Sequence, residues 1–385
     1  MSRLDWIAGE LQALRATHLE RRLQTFVGRQ GPTLAIDGRT YVNFGSNDYL
    51  DLAGDERLVR AACATAARSG WGAGASPLVV GRSTEHAELE RELAAFERCE
   101  AALLFSTGYA ANLAAVGALV GRGDVVFSDA LNHASIVDGC RLSRAEVRTY
   151  PHADVAALEA MLGEAAAFRR RLIVTDGLFS MDGDVAPLAQ LADAADRGDC
   201  MLIVDEAHAT GVLGREGRGA CEACGVEDRV DLRVGTLSKA LGGVGGFVVG
   251  NRAVVEWLVN RARPYMFSTA LPPAAAAASR AALDVVRGEP ERRVRPAAAA
   301  EALRGALRAR GWNVGPSTTQ IVPLIVGDAA KTLRLAERLR ARGFWVPPIR
   351  PPSVPAGSSR LRLCLTSGHT PEMIDGLLAA LGDPT

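Results

Sequence analysis

Lysine occurs at only two positions of the 385-residue chain, Lys239 and Lys331, although lysine and arginine together number 44. Arginine therefore fills the surface basic positions, and any search for an amine nucleophile narrows to two residues. Lys331 opens an amphipathic stretch and reads as solvated. Lys239 lies in Gly235-Thr-Leu-Ser-Lys-Ala-Leu-Gly-Gly-Val-Gly-Gly246, among small residues at the end of an apolar run. An amine so placed can form an imine with an aldehyde when its surroundings depress its pKa. The glycines also invite a nucleotide-loop reading. However, Gly242 to Gly246 lead into a strand rather than open a helix, so the dinucleotide fingerprint fails.

Other segments present polar groups at the ends of apolar runs. Leu202-Ile-Val-Asp-Glu-Ala-His208 delivers Asp205 to the C-terminal end of a strand, where ligands of open α/β sheets bind. A buried carboxylate there can keep a pyridine nitrogen protonated and make the ring an electron sink. The D-E-A-H string also occurs in helicases, but the G-x-x-x-x-G-K-[ST] phosphate loop they need is missing. Ser106-Thr-Gly-Tyr-Ala-Ala-Asn112 follows a strand and opens a helix, and free N–H groups at a helix start suit a phosphate. Asn132-His-Ala-Ser135 puts His133 just beyond another strand, able to stack on a ring in the same crevice. Phe179-Ser-Met-Asp-Gly-Asp184 presents Ser180 there too.

The elements that must position these groups follow from the hydrophobic pattern. Short apolar runs recur at residues 101–105, 124–128, 146–150, 171–175, 200–204, 231–236 and 246–250, with helical stretches such as 155–168 and 186–197 between several of them. Such alternation predicts an α/β layer structure with a largely parallel sheet. The last two runs are joined by residues 237–245, too few for a helical crossover between parallel strands, so one of them must run antiparallel with Lys239 on the connection. Before this region, a helix rich in Leu and Arg is predicted over 11–23, then an extended Thr33–Ile36 and a turn at Asp37-Gly38. Beyond Pro272-Pro273 come alanine-rich helices and a smaller α/β unit, with strands at 321–326 and 361–365 around a helix at 330–342. The expected division is an N-terminal helical segment 1–45, a large domain 46–275 and a small C-terminal domain 276–385.

Acidic residues also number 44, so the formal net charge is zero, and no basic stripe or polybasic helix points to nucleic acid or a membrane surface. Apolar stretches break well before the roughly 18 residues a membrane span needs, and the first residues lack an apolar signal core. A cytoplasmic protein is expected. Seven cysteines, an odd number, argue against a disulfide framework. Cys221 and Cys224 form a lone C-x-x-C without the second pair that zinc requires, and no metal is expected.

Together these residues resemble the α-oxoamine synthases, a family of fold-type-I pyridoxal-phosphate transferases. The likeness runs from Asn43-Phe-Gly-Ser-Asn-Asp-Tyr-Leu50 to Leu361-Arg-Leu-Cys-Leu-Thr366. It implies a mostly parallel seven-stranded sheet with one antiparallel strand, plus a smaller C-terminal α/β domain, and pyridoxal 5'-phosphate as cofactor. By the resemblance, Lys239 would hold the cofactor as a Schiff base, Asp205 would pair with its ring nitrogen, and His133 would stack on the ring and border the substrate. His208 and Ser180 would lie near the phenolic oxygen. Gly108 and Tyr109 would cradle the cofactor, with Thr236 and Ser238 near the phosphate, while Ser268 and Thr269 would reach it from a partner subunit. That implies a homodimer with shared active sites. Arg362 and Asn47 would hold an amino-acid carboxylate, and Arg21 and Ser353 match acyl-substrate positions.

Val322-Pro-Leu-Ile-Val-Gly-Asp328 and Ile349-Arg-Pro-Pro-Ser-Val-Pro-Ala-Gly357 resemble the members that condense L-alanine with a pimeloyl thioester, of coenzyme A or acyl carrier protein, in biotin biosynthesis. The alternative is a glycine-using synthase. The chain departs from the family at Ser353, where threonine is usual but the hydroxyl remains, and at Asp51, where glycine is frequent and aspartate enters positive φ less freely.

Overall fold

The computed structural model describes residues 2–384. The chain forms two compact units: a larger one of residues 50–180 and 185–294, and a smaller one of residues 2–49, 181–184 and 295–384.

The smaller unit opens with a helix at Trp6–Ala16. This corrects the helix expected over 11–23. The helix buries none of its side chains, so local capping decides where it ends. His18 takes a left-handed φ of 59°. Leu19 N–H then bonds Leu14 O at 2.8 Å and His18 N–H bonds Arg15 O at 3.1 Å, closing the C-terminus. A hairpin follows, β1 (Thr33–Ile36) and β2 (Arg39–Asn43), its turn made by Asp37 and Gly38 with φ of 51° and 75°. Positive φ at both turn residues matches the right-handed twist of the flanking strands.

The larger unit holds the seven-stranded sheet: β3 (Ala101–Phe105), β4 (Val125–Asp129), β5 (Glu146–Tyr150), β6 (Arg171–Asp176), β7 (Met201–Asp205), β8 (Leu232–Thr236) and β9 (Gly246–Gly250), in the order β3-β9-β8-β7-β6-β4-β5. Only β9 runs against the others, pairing antiparallel with both β3 and β8. The short 237–245 link requires this. Central strands β4, β8 and β9 are buried at every residue, as expected of a sheet covered on both faces. Edge strand β5 is instead polar, with Glu146 and Arg148 paired at 2.8 Å, a charged edge that discourages pairing with another chain.

The helix Gly108–Leu119 is nearly all small and apolar. It packs on the sheet and against the helix Ala134–Ser143, within a core that includes Leu103, Val116, Val126, Ile136, Val174, Ile203 and Val248. Asp51 takes φ 55°, so aspartate here adopts the left-handed conformation that glycine enters most freely.

The smaller unit is completed by β10 (Ile321–Gly327), β11 (Phe344–Trp345), β12 (Pro348–Ile349) and β13 (Ser359–Cys364). Strand β13 lies between β10 and β12, and β11 extends the hairpin beside β2. Helices Ala329–Ala341 and Pro371–Leu381 cover a core of Phe44, Leu324, Leu339, Leu361, Leu363 and Leu377. Among the described residues, no helix is long and apolar enough to cross a membrane.

Gly246 starts β9 against the first turn of the Gly108 helix. A Cβ there would lie 2.5 Å from both Gly108 N and Thr107 O, backbone atoms that cannot rotate away. Gly246→Ala is expected to destabilise the protein by about 3 kcal/mol, read as a lowered urea unfolding midpoint, and to weaken cofactor binding with it.

Candidate active site

In the larger unit, parallel strands end side by side and the polar groups extend from those ends. Asp205 closes β7 and lies in register beside Asp176, which closes β6. Thr236 closes β8, and Lys239 follows in the turn back to β9. Bonds from Leu237 N–H to Gly245 O, Gly243 N–H to Leu237 O and Gly242 N–H to Lys239 O hold that turn closed.

Asp205 is only 4% exposed. Its Oδ1 accepts the Ala207 N–H at 2.8 Å and its Oδ2 accepts an amide hydrogen of Asn112 at 2.5 Å, so the buried carboxylate is hydrogen-bonded on both oxygens. Asp176 Oδ2 accepts the His133 backbone N–H at 2.7 Å, and Asn132 Oδ1 accepts the Asp176 N–H at 2.8 Å. Burial, and then repulsion by Asp205, raise the Asp176 pKa well above the ordinary carboxyl value.

His133 caps the helix Ala134–Ser143 and is exposed to solvent. Loss of water on its packed side is the largest influence on the imidazole and lowers its pKa. Asp205 opposes this shift and Lys239 adds to it. Both charged groups thus act on the ring, which unites the three residues expected to serve a cofactor. The Tyr109 ring meets His133 edge-on at 6.3 Å, and its hydroxyl donates to Asp138.

The Gly108 helix is capped by Thr107, whose hydroxyl accepts the Ala110 N–H at 3.0 Å. Helix geometry leaves the Gly108 and Tyr109 amides pointing out of the N-terminus. A Cβ on Gly108 would sit 3.3 Å from Thr236 Cβ and 3.4 Å from its Oγ1. A side chain at this position would therefore fill the space beside the Thr236 and Ser238 hydroxyls, which are 2.7 Å apart. Two amides at a helix start, two hydroxyls, a buried carboxylate, a flat ring and an amine fit the phosphate, ring nitrogen, ring face and aldehyde of pyridoxal phosphate. His208 is buried just beyond Asp205, and Ser180 stands half-buried after β6. Ser268 and Thr269, in the same unit, line a cleft with Arg82, His86, Glu90 and Ser106.

Within the smaller unit, Arg362 on β13 is buried. It donates to Asn47 Oδ1 at 3.0 Å and to the Tyr49 hydroxyl at 3.3 Å, while Tyr49 donates in turn to Asn47. Burial raises the Tyr49 pKa, which keeps the phenol protonated. The neighbouring Arg360 is bound to Asp182 at 2.5 Å. Arg360 is thus paired with a carboxylate, and Arg362 with the Asn47 and Tyr49 side chains.

Arg21 lies beyond the end of the N-terminal helix rather than on it, and donates to Pro351 O at 3.1 Å. Its neighbours Arg15 and Arg22 pair with Glu20. Ser353 is exposed in the same loop as Pro351.

The residue-by-residue reading missed Asn112, Ser135 and Asp176. Asn112 is a polar residue one turn inside a helix that is otherwise apolar on every side. That mismatch was the available signal. The C-x-x-C lies on the short helix Ala220–Cys224, where Glu206 accepts the Ala220 and Cys221 N–H groups at 2.7 Å each. All seven cysteines are free thiols. Among the described residues no group of His, Cys, Asp and Glu is arranged to hold a metal.

Comparison with known proteins agrees with this geometry. Residues 39–381 match the family model "Aminotransferase class I and II". The 8-amino-7-oxononanoate synthase of Anaeromyxobacter dehalogenans strain 2CP-1 is 53% identical over 378 residues, covering 98% of this chain and 95% of that one. Serine palmitoyltransferase from S. paucimobilis, solved with pyridoxal phosphate and myriocin bound, superposes with a TM-score of 0.93 at 33% identity, covering 98% and 96% of the two chains. The 8-amino-7-oxononanoate synthase of Francisella tularensis superposes with a TM-score of 0.77 at 30% identity, covering 89% and 96%. With its seven-stranded sheet, its strand-end lysine and aspartate, and near-complete alignment to these relatives, the chain belongs to the class I and II aminotransferase family and, within it, to the 8-amino-7-oxononanoate synthases.

Proposed function

We infer that the chain catalyses the decarboxylative condensation of L-alanine with a pimeloyl thioester, releasing 8-amino-7-oxononanoate, carbon dioxide and the carrier thiol in biotin biosynthesis. The observation that carries this reading is 53% identity with a synthase of that name over nearly the whole chain. The serine palmitoyltransferase neighbours, at 33–34% identity, share the fold at a greater sequence distance.

Bound pyridoxal phosphate supplies a conjugated ring that takes up the electron pair released at the alanine Cα. Asp205, held by one hydrogen bond on each oxygen and with lone pairs to spare, holds the proton on the ring nitrogen. His133 packs on the ring face. Gly108, Tyr109, Thr236 and Ser238 bind the phosphate end, and Ser180 and His208 hold the phenolic oxygen. The Lys239 amine, once free, removes the Cα proton. Arg362 and Asn47 hold the alanine carboxylate that departs as carbon dioxide. Arg21 and Ser353 receive the terminal carboxylate of the acyl chain, delivered on coenzyme A or acyl carrier protein. The enzyme works in the cytoplasm as a homodimer with shared active sites, Ser268 and Thr269 reaching the phosphate bound by the other copy.

Three measurements test this reading. The purified protein should be yellow, and borohydride should fix the cofactor covalently on Lys239. An adduct mapped to Lys331, or none, refutes the assignment, and Lys239→Ala should bind the cofactor but lose turnover.

Arg362→Lys should raise the alanine KM about tenfold or more, because an ammonium cannot reproduce two parallel N–H bonds to a carboxylate. Arg360→Lys should leave that KM unchanged, because Arg360 already serves Asp182.

Finally, alanine, glycine and serine should be assayed against pimeloyl, acetyl, succinyl and palmitoyl thioesters by product mass. Alanine with pimeloyl is expected to dominate. One methyl supplies only about 1–3 kcal/mol of discrimination against glycine, so slow glycine turnover is also expected. Arg21→Ala should erase the preference for pimeloyl over an uncharged acyl chain of equal length.

A further inference from the structure

Asn112 stands at the centre of a buried chain of hydrogen bonds that joins the two residues expected to meet the cofactor ring. It is 2% exposed. Its Nδ2 donates to Asp205 Oδ2 at 2.5 Å and to Ser135 Oγ at 2.9 Å. An amide nitrogen carries two hydrogens, so both are committed. The opposite amide orientation would set Asn112 Oδ1 against the Asp205 carboxylate, two acceptors facing each other. Ser135 Oγ, having accepted from Asn112, has its own hydrogen left to give, and His133 Nδ1 lies 2.7 Å away. The Ser135 backbone N–H also points at His133 Nδ1, at 3.3 Å. The backbone contact requires Nδ1 to accept, and the Ser135 hydroxyl can then donate to the same nitrogen, which leaves the ring hydrogen on Nε2.

We propose that Asn112 and Ser135 are positioning residues that fix Asp205 as an ionised acceptor and lock His133 in the neutral tautomer protonated at Nε2. The proposal rests on the reading above, in which Asp205 and His133 serve pyridoxal phosphate. A neutral ring lets His133 lie on the cofactor without adding a second positive charge beside the protonated pyridine nitrogen. The lowered pKa of His133 agrees with this state. Asp176, which takes the His133 backbone N–H at 2.7 Å, anchors the main chain while Ser135 orients the ring.

The test uses the holoenzyme labelled with nitrogen-15 histidine, in wild type, Asn112→Ala, Ser135→Ala and the double variant, with His133 assigned from His133→Asn. Long-range nitrogen–proton spectra should show wild-type His133 with its hydrogen on Nε2 alone, and averaging between tautomers in each variant. Turnover per bound cofactor should fall about 10–100-fold, as when a group behind a first ligand is removed, while the alanine KM changes by less than about threefold. The double variant should be no worse than Asn112→Ala by more than about twofold, because one chain is being broken twice.

Wild-type His133 protonated on Nδ1, or on both nitrogens, overturns the proposal. So do variants that lose only unfolding temperature while keeping the tautomer and turnover per bound cofactor. If Asn112→Ala does not fold, Ser135→Ala decides alone. Failure of the parent reading appears separately, as wild-type protein without yellow colour or alanine–pimeloyl turnover, and the His133 tautomer is readable in either case.

Discussion

A carboxylate buried at the C-terminal edge of a sheet is costly unless both oxygens are hydrogen-bonded, and Asp205 is such a carboxylate. Much of the larger unit follows from meeting that demand. The Asn112 amide must lie against Asp205, so the helix that carries it must pack closely on the sheet. The helix is accordingly built from alanine, glycine and a few aliphatic residues, and β9 begins beneath it with Gly246, where no side chain fits. The same close packing sets the start of that helix beside Thr236, so one packing decision both holds the acid and brings free helix amides near the Thr236 hydroxyl.

A second constraint places the amine. Nine residues separate β8 from β9, which excludes a crossover helix and forces the chain to double back. Lys239 therefore emerges at the edge where Asp205 ends its strand. Gly242 and Gly245, with φ of 62° and 124°, provide conformations that the tight reversal requires. The antiparallel strand is thus the feature that brings a lysine to the acidic end of an otherwise parallel sheet.

The smaller unit solves a different problem. Arg362 is almost fully buried, and its guanidinium is held by Asn47 and Tyr49 from the segment after the hairpin. That segment lies more than 300 residues earlier in the chain. Residues 181–184 also belong to this unit: Asp182 binds Arg360, and Gly183 O accepts the Thr319 hydroxyl at 2.8 Å. Three stretches distant in sequence thereby give two arginines, two residues apart, different partners: Asn47 and Tyr49 for Arg362, Asp182 for Arg360.

What the sequence determined by itself was the order of the elements and the polar groups that their ends carry. Apolar runs located the strands of the larger sheet, because burial on both faces writes an unbroken signal in its central strands, whereas edge strand β5 carries only the weaker pattern Glu146-Val-Arg-Thr-Tyr150. The scarcity of lysine singled out Lys239, and the length of the 237–245 connection set the antiparallel strand. Helix ends without tertiary packing were less legible, as at Trp6–Ala16, where a left-handed His18 terminates what the pattern alone would continue. Only the tertiary structure decided the hydrogen-bond partners. Asn112, Ser135 and Asp176 come from three different strand–helix junctions, and nothing in local spacing says that their side chains meet Asp205 and His133. Periodicity records which face of an element is buried. A hydrogen bond depends on distance and direction between elements, and those are settled only when the elements pack.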